Sequence, residues 1–151
     1  MVQKKPTLVG KFSVKVLIMS LKKCRILTFP SKTDSRGTLA FAEIKKQIPF
    51  EIKRIFYIYN VPKNKRRGGH AHKKSEQIFV ALNGSFDIIL DDSKKKKIYR
   101  LQKPNTALYV PPKIWVEMTK FSSKTVVLVL ASSFYNDNDY IRNYNEFKKP
   151  S

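Results

Sequence analysis

Both histidines of this 151-residue chain fall in one short segment, "RRGGHAHKKSEQ" (66–77), as His70 and His72. Side chains alternate along a strand, so a His-x-His pair in a strand places both imidazoles on the same face. Imidazole titrates near neutral pH, so it both takes and returns a proton. Lysines and arginines flank the pair, and their charge would disfavour the imidazolium form. The segment therefore predicts one catalytic base and one histidine that positions it, without saying which is which.

Metal binding is the alternative chemistry for the same segment. Two imidazoles and the carboxylate of Glu76, four residues after His72, could form the facial triad that holds iron. The chain has no third histidine, and positive charge around the pair opposes the binding of a cation. We therefore expect neither a metal nor another cofactor.

A second candidate site residue ends the turn "DSRG" (34–37), where Arg36 precedes Gly37. A guanidinium group there could hold a diphosphate through two parallel hydrogen bonds. A tight turn with a solvated arginine is an equally good interpretation of the same four residues.

Aromatic side chains supply the remaining candidates. Tyr57 and Tyr59 share one face of a predicted strand, and Arg54 takes the other face. Tyrosines that face inward could relay a proton or stack on a base or sugar, and ordinary core packing is the alternative. Three weaker candidates for lining a pocket follow along the chain: Gln77, Tyr109 and Trp115.

The elements that must position these residues are short strands separated by turns. The segments predicted as strands are 24–29, 38–44, 52–61, 76–82, 85–90, 97–101, 106–110, 114–118 and 125–132. Asn83-Gly84 predicts a hairpin between two of them. About nine or ten strands in one domain indicate an all-β sandwich or barrel, and a small barrel encloses a pocket. Apolar residues at helical spacing in 138–147 predict a short amphipathic C-terminal helix.

The domain organisation is simple. Residues 1–23 are basic and poorly patterned, which predicts an N-terminal extension without regular structure, and 24–151 form one domain. A single cysteine, Cys24, excludes an internal disulfide and fits a reducing compartment. The apolar run 14–21 is too short to span a bilayer, and no small-residue cleavage site follows it. We expect no association with a membrane.

The net charge of +20, from 31 Lys and Arg against 11 Asp and Glu, suggests a polyanionic partner. The lysines are scattered or concentrated in turns such as 94–97, and no nucleic-acid-binding motif accompanies them. A solvated lysine-rich surface is the better interpretation, and nucleic acid is not expected as a partner.

Several separated motifs together resemble the nucleoside-diphosphate-sugar 3,4-ketoisomerases of the cupin superfamily, the WxcM-like or FdtA-type family. They are "DSRG" (34–37), "PFEIKRIFYI" (49–58), "RGGHAHKKSEQIFVALNGSFDIILDD" (67–92), "LYVPPKIWVEM" (108–118) and "LVLASSFYNDNDYIRNYNEF" (128–147). The resemblance covers roughly residues 24–148 and implies a cupin double-stranded β-helix, or jelly-roll barrel.

The resemblance also implies an activity, the metal-free conversion of dTDP-4-keto-6-deoxyglucose to a 3-keto isomer. A base removes the C3 hydrogen, an enediol forms, and a proton returns at C4. His70 and His72 match the histidine pair of the family. Tyr57 matches the second member of its Tyr-Tyr pair and is the expected proton relay, whereas the first member is Phe56 here. Val116 stands where family members often have a histidine.

The expected substrate contacts are Arg36, Gly37, Arg54, Arg67, Lys73, Gln77, Tyr109 and Trp115. The resemblance further implies a homodimer, a cytoplasmic location and a product that feeds the synthesis of bacterial surface polysaccharide. Two alternatives stay open: a dTDP-sugar 3,5-epimerase, which would leave the ketone in place, and a non-catalytic cupin that binds sugar nucleotides.

Overall fold

Two five-stranded antiparallel sheets pack face to face in the computed structural model, which describes residues 21–150. The strands are β1 Arg25–Thr28, β2 Ser31–Asp34, β3 Gly37–Ala40, β4 Arg54–Tyr59, β5 Arg67–His72, β6 Gln77–Asn83, β7 Phe86–Asp91, β8 Lys96–Leu101, β9 Thr106–Val110, β10 Trp115–Thr119, β11 Val126–Ala131 and β12 Tyr140–Ile141. The first sheet has the order β1-β9-β6-β11-β4 and the second has the order β12-β5-β10-β7-β8. This arrangement confirms the all-β jelly-roll prediction, as a two-sheet sandwich and not a closed barrel.

The main core fills the space between the sheets. Alternate residues of the central strands point into it, among them Phe79, Leu108 and Val129 from the first sheet and Ile88 and Met118 from the second. The opposite face of the first sheet is also apolar. A second core cluster there packs the strand residues Ile78, Val80 and Tyr109 against Phe29, Ile48 and Phe50. Burial on both faces explains why these strands are apolar at nearly every position.

The Asn83-Gly84 turn does not close a hairpin. β6 pairs with β9 and β11, whereas β7 pairs with β10 and β8, so the turn carries the chain from one sheet to the other. Gly84 has a φ of +68°, and a Cβ there would lie 2.6 Å from Thr125 Oγ1. The sequence therefore predicted the turn correctly and the strand pairing wrongly.

The C-terminal segment is mostly not helical. A 3₁₀ turn covers Asp137–Asp139, Tyr140–Ile141 form β12 beside β5, and the α-helix α1 spans only Tyr144–Phe147. Asn143 caps that helix by accepting hydrogen bonds from the backbone of residues 145 and 146. The expected helix over 138–147 is wrong in its first half, because the backbone there is used for pairing with β5.

The structured domain begins earlier than expected. Residues 21–23 form a 3₁₀ turn, Leu21 packs against the main core, and its backbone N–H donates to Asp92 Oδ2 at 3.1 Å. Residues 21–23 therefore belong to the domain, and the rest of the predicted extension, 1–20, lies outside the described residues. Within 21–150, no helix is long and apolar enough to cross a membrane.

Candidate active site

A bulge in β5 sets the position of the histidine pair. β5 pairs with β10 so that His70 lies opposite Val116 and Gly68 opposite Glu117, which leaves Gly69 without a partner. Gly68 and Gly69 have φ values of +86° and +76°, a region that favours glycine. The bulge turns the end of β5 inward, so that Ala71 and His72 are buried and His70 is partly buried.

The two imidazoles share one face, as their spacing predicted. Their ring centroids lie 5.2 Å apart and the rings are nearly perpendicular. His70 lines a cavity of about 390 Å³ that also contacts Phe56, Arg67, Gln77 and Tyr140. His72 does not line this cavity and is only 4% exposed. The structure thus separates the histidines into one that meets the cavity and one that lies behind it.

A carboxylate fixes the orientation of the inner histidine. His72 Nδ1 donates to Asp139 Oδ2 at 2.8 Å, and the other carboxylate oxygen accepts the backbone N–H of Lys74 at 2.7 Å. Burial would raise the pKa of Asp139, but the hydrogen bonds from His72 and from the backbone outweigh it and lower that pKa. An ionised Asp139 keeps the proton on Nδ1 of His72, which leaves Nε2 as the acceptor nitrogen of the neutral ring.

Both histidines are held in the neutral state. Burial, then the neighbouring His72, lowers the pKa of His70 to about 4, and Arg142 and Arg54 act in the same direction. Burial also lowers the pKa of His72, against the opposing effect of Asp139. The expected direction is confirmed, but the cause differs, since burial dominates over charge. A neutral imidazole at the wall of a cavity is a competent proton acceptor.

Arg54 lies close enough to the pair to lower the pKa of both histidines. It lies on the inward face of β4 with Phe56, at 5.2 Å from that ring, and at 5.5 Å from the ring of Tyr135. Within residues 21–150, the buried side-chain polar atoms that lack a hydrogen-bond partner are Arg54 Nε and His72 Nε2. Buried polar groups are nearly always paired, so these two atoms beside the histidine cavity are exceptions among the described residues.

Tyr57 does not face inward. Arg54, Phe56 and Ile58 form the inward set of β4, whereas Tyr57 is 63% exposed on the outer face. Tyr57 thus takes an outward position on the strand, although it lines the cavity together with His70. Alternation along the strand was correct, but the sequence did not show which of the two faces is inside.

Tyr109 and Trp115 are also placed away from the histidines. The Tyr109 hydroxyl donates to Glu76 Oε1 at 2.5 Å on the second core side of the first sheet, and burial raises its pKa. Trp115 donates to Glu117 Oε1 and packs against the C-terminal residues Tyr144 and Phe147. Neither residue lines the cavity of His70, and their roles as substrate contacts stay predictions.

The Glu76 carboxylate does not join the two histidines, because it accepts a hydrogen bond from the Tyr109 hydroxyl instead. Among residues 21–150, no three His, Cys, Asp or Glu side chains come together in a way that could hold a metal ion. The facial triad considered from the sequence therefore lacks its carboxylate.

The other predicted contacts divide between cavity and surface. Arg67 and Gln77 line the cavity. Lys73 has an exposed side chain, and its backbone N–H donates to the Asp139 carbonyl at 2.8 Å. Arg36 and Gly37 lie in the β2–β3 hairpin, where the Arg36 side chain is 87% exposed and pairs with Asp34 at 2.6 Å. The structure of one chain does not bring Arg36 to the histidines.

Sequence reasoning missed the C-terminal contribution to this site. Asp139, Tyr140 and Arg142 all pack at the histidine pair, with the Tyr140 ring 4.4 Å from that of His72 and Arg142 Cζ 4.2 Å from the centroid of the Tyr140 ring. The mixture of carboxylate, tyrosine and arginine in "DYIR" (139–142) was the available signal, and a helical interpretation obscured it.

A jelly-roll sandwich with a neutral histidine pair, a supporting carboxylate and free guanidinium groups defines an acid–base site of the cupin class. Comparison with known families gives the particular group. The family described as "WxcM-like, C-terminal" (FdtA) matches residues 22–151, and the chain belongs to this family.

Named relatives share most of the chain. The TDP-4-oxo-6-deoxy-alpha-D-glucose-3,4-oxoisomerase of Aneurinibacillus thermoaerophilus is 48% identical over 125 residues, which are 83% of this chain and 90% of that protein. A 3,4-ketoisomerase from Helicobacter canadensis superimposes with a TM-score of 0.81 at 47% identity, over 83% of this chain and 95% of the other. A mutant of the ketoisomerase QdtA from Thermoanaerobacterium thermosaccharolyticum, in complex with TDP-4-keto-6-deoxyglucose, superimposes with a TM-score of 0.83 at 41% identity, over 85% and 94%.

Proposed function

We propose that this protein is a nucleotide-sugar 3,4-ketoisomerase that converts dTDP-4-keto-6-deoxyglucose to a dTDP-3-keto-6-deoxyhexose. The observation that carries the proposal is the neutral His70 at the cavity wall, supported from behind by the His72–Asp139 pair. Similarity to ketoisomerases supports the choice of substrate. The ketone at C4 acidifies the hydrogen on C3, so a neutral base at that carbon is the chief requirement of the reaction.

His70 is the base in this proposal. It takes the proton from C3, the enediol forms, and the imidazolium returns a proton to C4, which leaves the ketone at C3. His72 holds a fixed tautomer through Asp139 and adjoins the His70 ring at 5.2 Å. That division of roles follows from position, since only His70 of the two lines the cavity.

The nucleotide is assigned to a groove that adjoins the histidine cavity. A second cavity of about 450 Å³ is lined by Tyr57, Tyr59, Lys65 and Arg67, and it shares Arg66, Arg67, Tyr57 and Ile58 with the first. Arginine and lysine at the junction suit a diphosphate. Exposed phenol rings beside them, 6.3 Å apart, offer a surface on which a nucleobase stacks. The sugar would then lie at His70 and the nucleoside would lie outward along β4.

A homodimer is part of the proposal, and the β2–β3 hairpin supports it. All eight strand residues of the hairpin are exposed, and Leu39 and Phe41 are 62% and 41% exposed. A hairpin that projects with apolar side chains is a surface that a second copy of the chain would cover. Action in the cytoplasm and a supply of deoxysugars for surface polysaccharide are also proposed, on the family resemblance.

The deciding experiment incubates the protein with dTDP-4-keto-6-deoxyglucose in deuterated water and determines the product by NMR. We expect the ketone at C3, and deuterium at C4 in the fraction of turnovers in which the His70 imidazolium exchanges its proton with the solvent before returning it. A product with its ketone still at C4 and deuterium at C3 and C5 would indicate a 3,5-epimerase. Binding with the ketone still at C4 and no deuterium in the sugar would indicate a non-catalytic binding protein.

The matching variant is His70→Asn, which removes the proton acceptor and nearly preserves the size of the side chain. We expect its turnover to fall by about 10²–10⁴-fold, the usual contribution of a general base. Binding of dTDP, measured by calorimetry, should be retained, since His70 lies at the sugar end of the site. Near-wild-type turnover in this variant would refute the assignment of the base.

A further inference from the structure

The isomerisation moves two hydrogens, and the histidine pair accounts for only one of them. The hydrogen on C3 goes to C4 by way of His70. The hydrogen on the C3 hydroxyl must also leave, and the C4 oxygen must gain one, because the alcohol and the ketone exchange places. A second group that donates to one oxygen and accepts from the other is therefore required.

The tyrosine expected for this task does not occupy the interior. Tyr57 lies on the outer face of β4, and the inward neighbour Phe56 has no hydroxyl. The cavity of His70 is lined by two phenylalanines, Phe56 and Phe79, and by two tyrosines, Tyr57 and Tyr140. Tyr140 is thus the inward-lying tyrosine of the cavity.

Tyr140 is held tightly against both histidines. It pairs in register with His72 across the β12–β5 ladder, and its ring centroid lies 4.4 Å from that of His72 and 5.0 Å from that of His70. Arg142 covers its ring at 4.2 Å. Among the hydrogen bonds of the described residues, none involves the Tyr140 hydroxyl, which leaves this group available to a ligand.

From this arrangement we infer that Tyr140 is the catalytic hydroxyl that carries the proton between the two substrate oxygens. The inference rests on the proposed ketoisomerase function.

Two coupled proton transfers exchange the ketone and the alcohol. As His70 takes the proton from C3, the C3–H electron pair forms the C3=C4 bond, the C4=O π pair moves to oxygen, and Tyr140 donates its proton there. The enediol, an imidazolium and a phenolate result. The phenolate then takes the proton of the C3 hydroxyl, that O–H pair forms the C3=O bond, and the C3=C4 π pair takes the proton from His70. Both residues end as they began, and no oxidant or reductant is consumed.

The surroundings suit the charge that this cycle creates. Arg142 lies over the Tyr140 ring and places positive charge beside the transient phenolate. Arg54 adds positive charge to the same site, since it lowers the pKa of both histidines. The imidazolium on His70 lies next to the same ring. Asp137, which pairs with Arg142 at 2.9 Å, is the carboxylate that holds this guanidinium from the far side.

The test is Tyr140→Phe, which deletes one oxygen and keeps the ring that packs on the histidines. We expect kcat to fall by about 100-fold or more, within the range for a proton-transfer group. KM and the affinity for dTDP should stay within a few-fold of the wild type, and so should the melting temperature. Tyr99→Phe, on the edge strand β8 away from the cavity, is the matched control and should keep full turnover.

Deuterium exchange separates this role from that of His70. In deuterated water His70→Asn should exchange no hydrogen at C3. The expected result for Tyr140→Phe is slow, measurable exchange at C3, because its base is intact. Tyr140→Phe with kcat within about three-fold of an active wild type would overturn this assignment alone. A wild type that does not move the ketone would overturn the proposed function together with it.

Discussion

At the scale of single residues, burial determines when His70 is able to act. The neutral ring is the base, and burial with neighbouring positive charge lowers its pKa from the ordinary 6.5 to about 4. Protonation therefore removes the base only in acid. We expect kcat/KM to stay level from neutral pH down to about pH 5 and to fall as the pH approaches 4. A pH–rate profile of the wild type checks this, and an acid limb near 6.5 would contradict the burial argument.

Local sequence patterns predict some residues of the site and miss others. The spacing of His70 and His72 correctly predicted a shared face, because strand alternation is a local property. The support of His72 by Asp139 spans 67 residues of sequence, and no local pattern encodes it. Residues that reach the site from a distant segment were therefore missed, although each has a chemically informative side chain.

At the scale of elements, the bulge of β5 makes the sharpest demand on the sequence. A Cβ on Gly68 would lie 2.5 Å from the Val116 carbonyl oxygen, whereas a Cβ on Gly69 would meet nothing within 4 Å. Both positions have positive φ, so alanine at either costs about 1–2 kcal/mol in backbone strain. Gly68→Ala should cost about 1–3 kcal/mol more because of overpacking against β10.

Urea unfolding of the two alanine variants tests this difference, with Gly69→Ala as the control for strain alone. Gly68→Ala should also lose turnover, because β10 must move at Val116, the residue opposite His70. Equal losses of unfolding free energy in the two variants would show that the contact with Val116 does not limit the bulge.

The positions of strands and turns are more predictable from the sequence than the pairing of the strands. Most strands and turns were predicted from apolar runs and from residues such as Gly84, because both depend on neighbours in sequence. The polar or short strands β2, β5 and β12 were not among the predicted segments, because they lack an apolar run. Which strands pair was not predictable at the Asn83-Gly84 turn, since jelly-roll topology sends consecutive strands to opposite sheets. Tyr109 and Trp115 lie outside the histidine cavity for a related reason: this sandwich is buried on outer faces too, so apolar character does not identify the cavity.

At the scale of the whole molecule, the β2–β3 hairpin is exposed and its Arg36 lines neither cavity of its own chain. Both observations suggest that the hairpin packs on a second copy of the chain. In a single chain the Arg36 guanidinium is exposed and bonded only to Asp34, outside both cavities. A second copy that covers the hairpin would bring this guanidinium onto the partner. Arg36 would then serve the diphosphate in the site of the partner subunit, which reconciles its predicted role with its position.

Complementation tests this arrangement directly. Arg36→Ala and His70→Asn chains, each with low turnover alone, are co-expressed so that mixed dimers form. If Arg36 acts across the interface, one of the two sites in each mixed dimer contains both native residues. Random pairing makes half of the dimers mixed, so about a quarter of the wild-type turnover should return. If Arg36 acts within its own chain, every site keeps one defect, and the mixture should be no more active than the mean of the two variants.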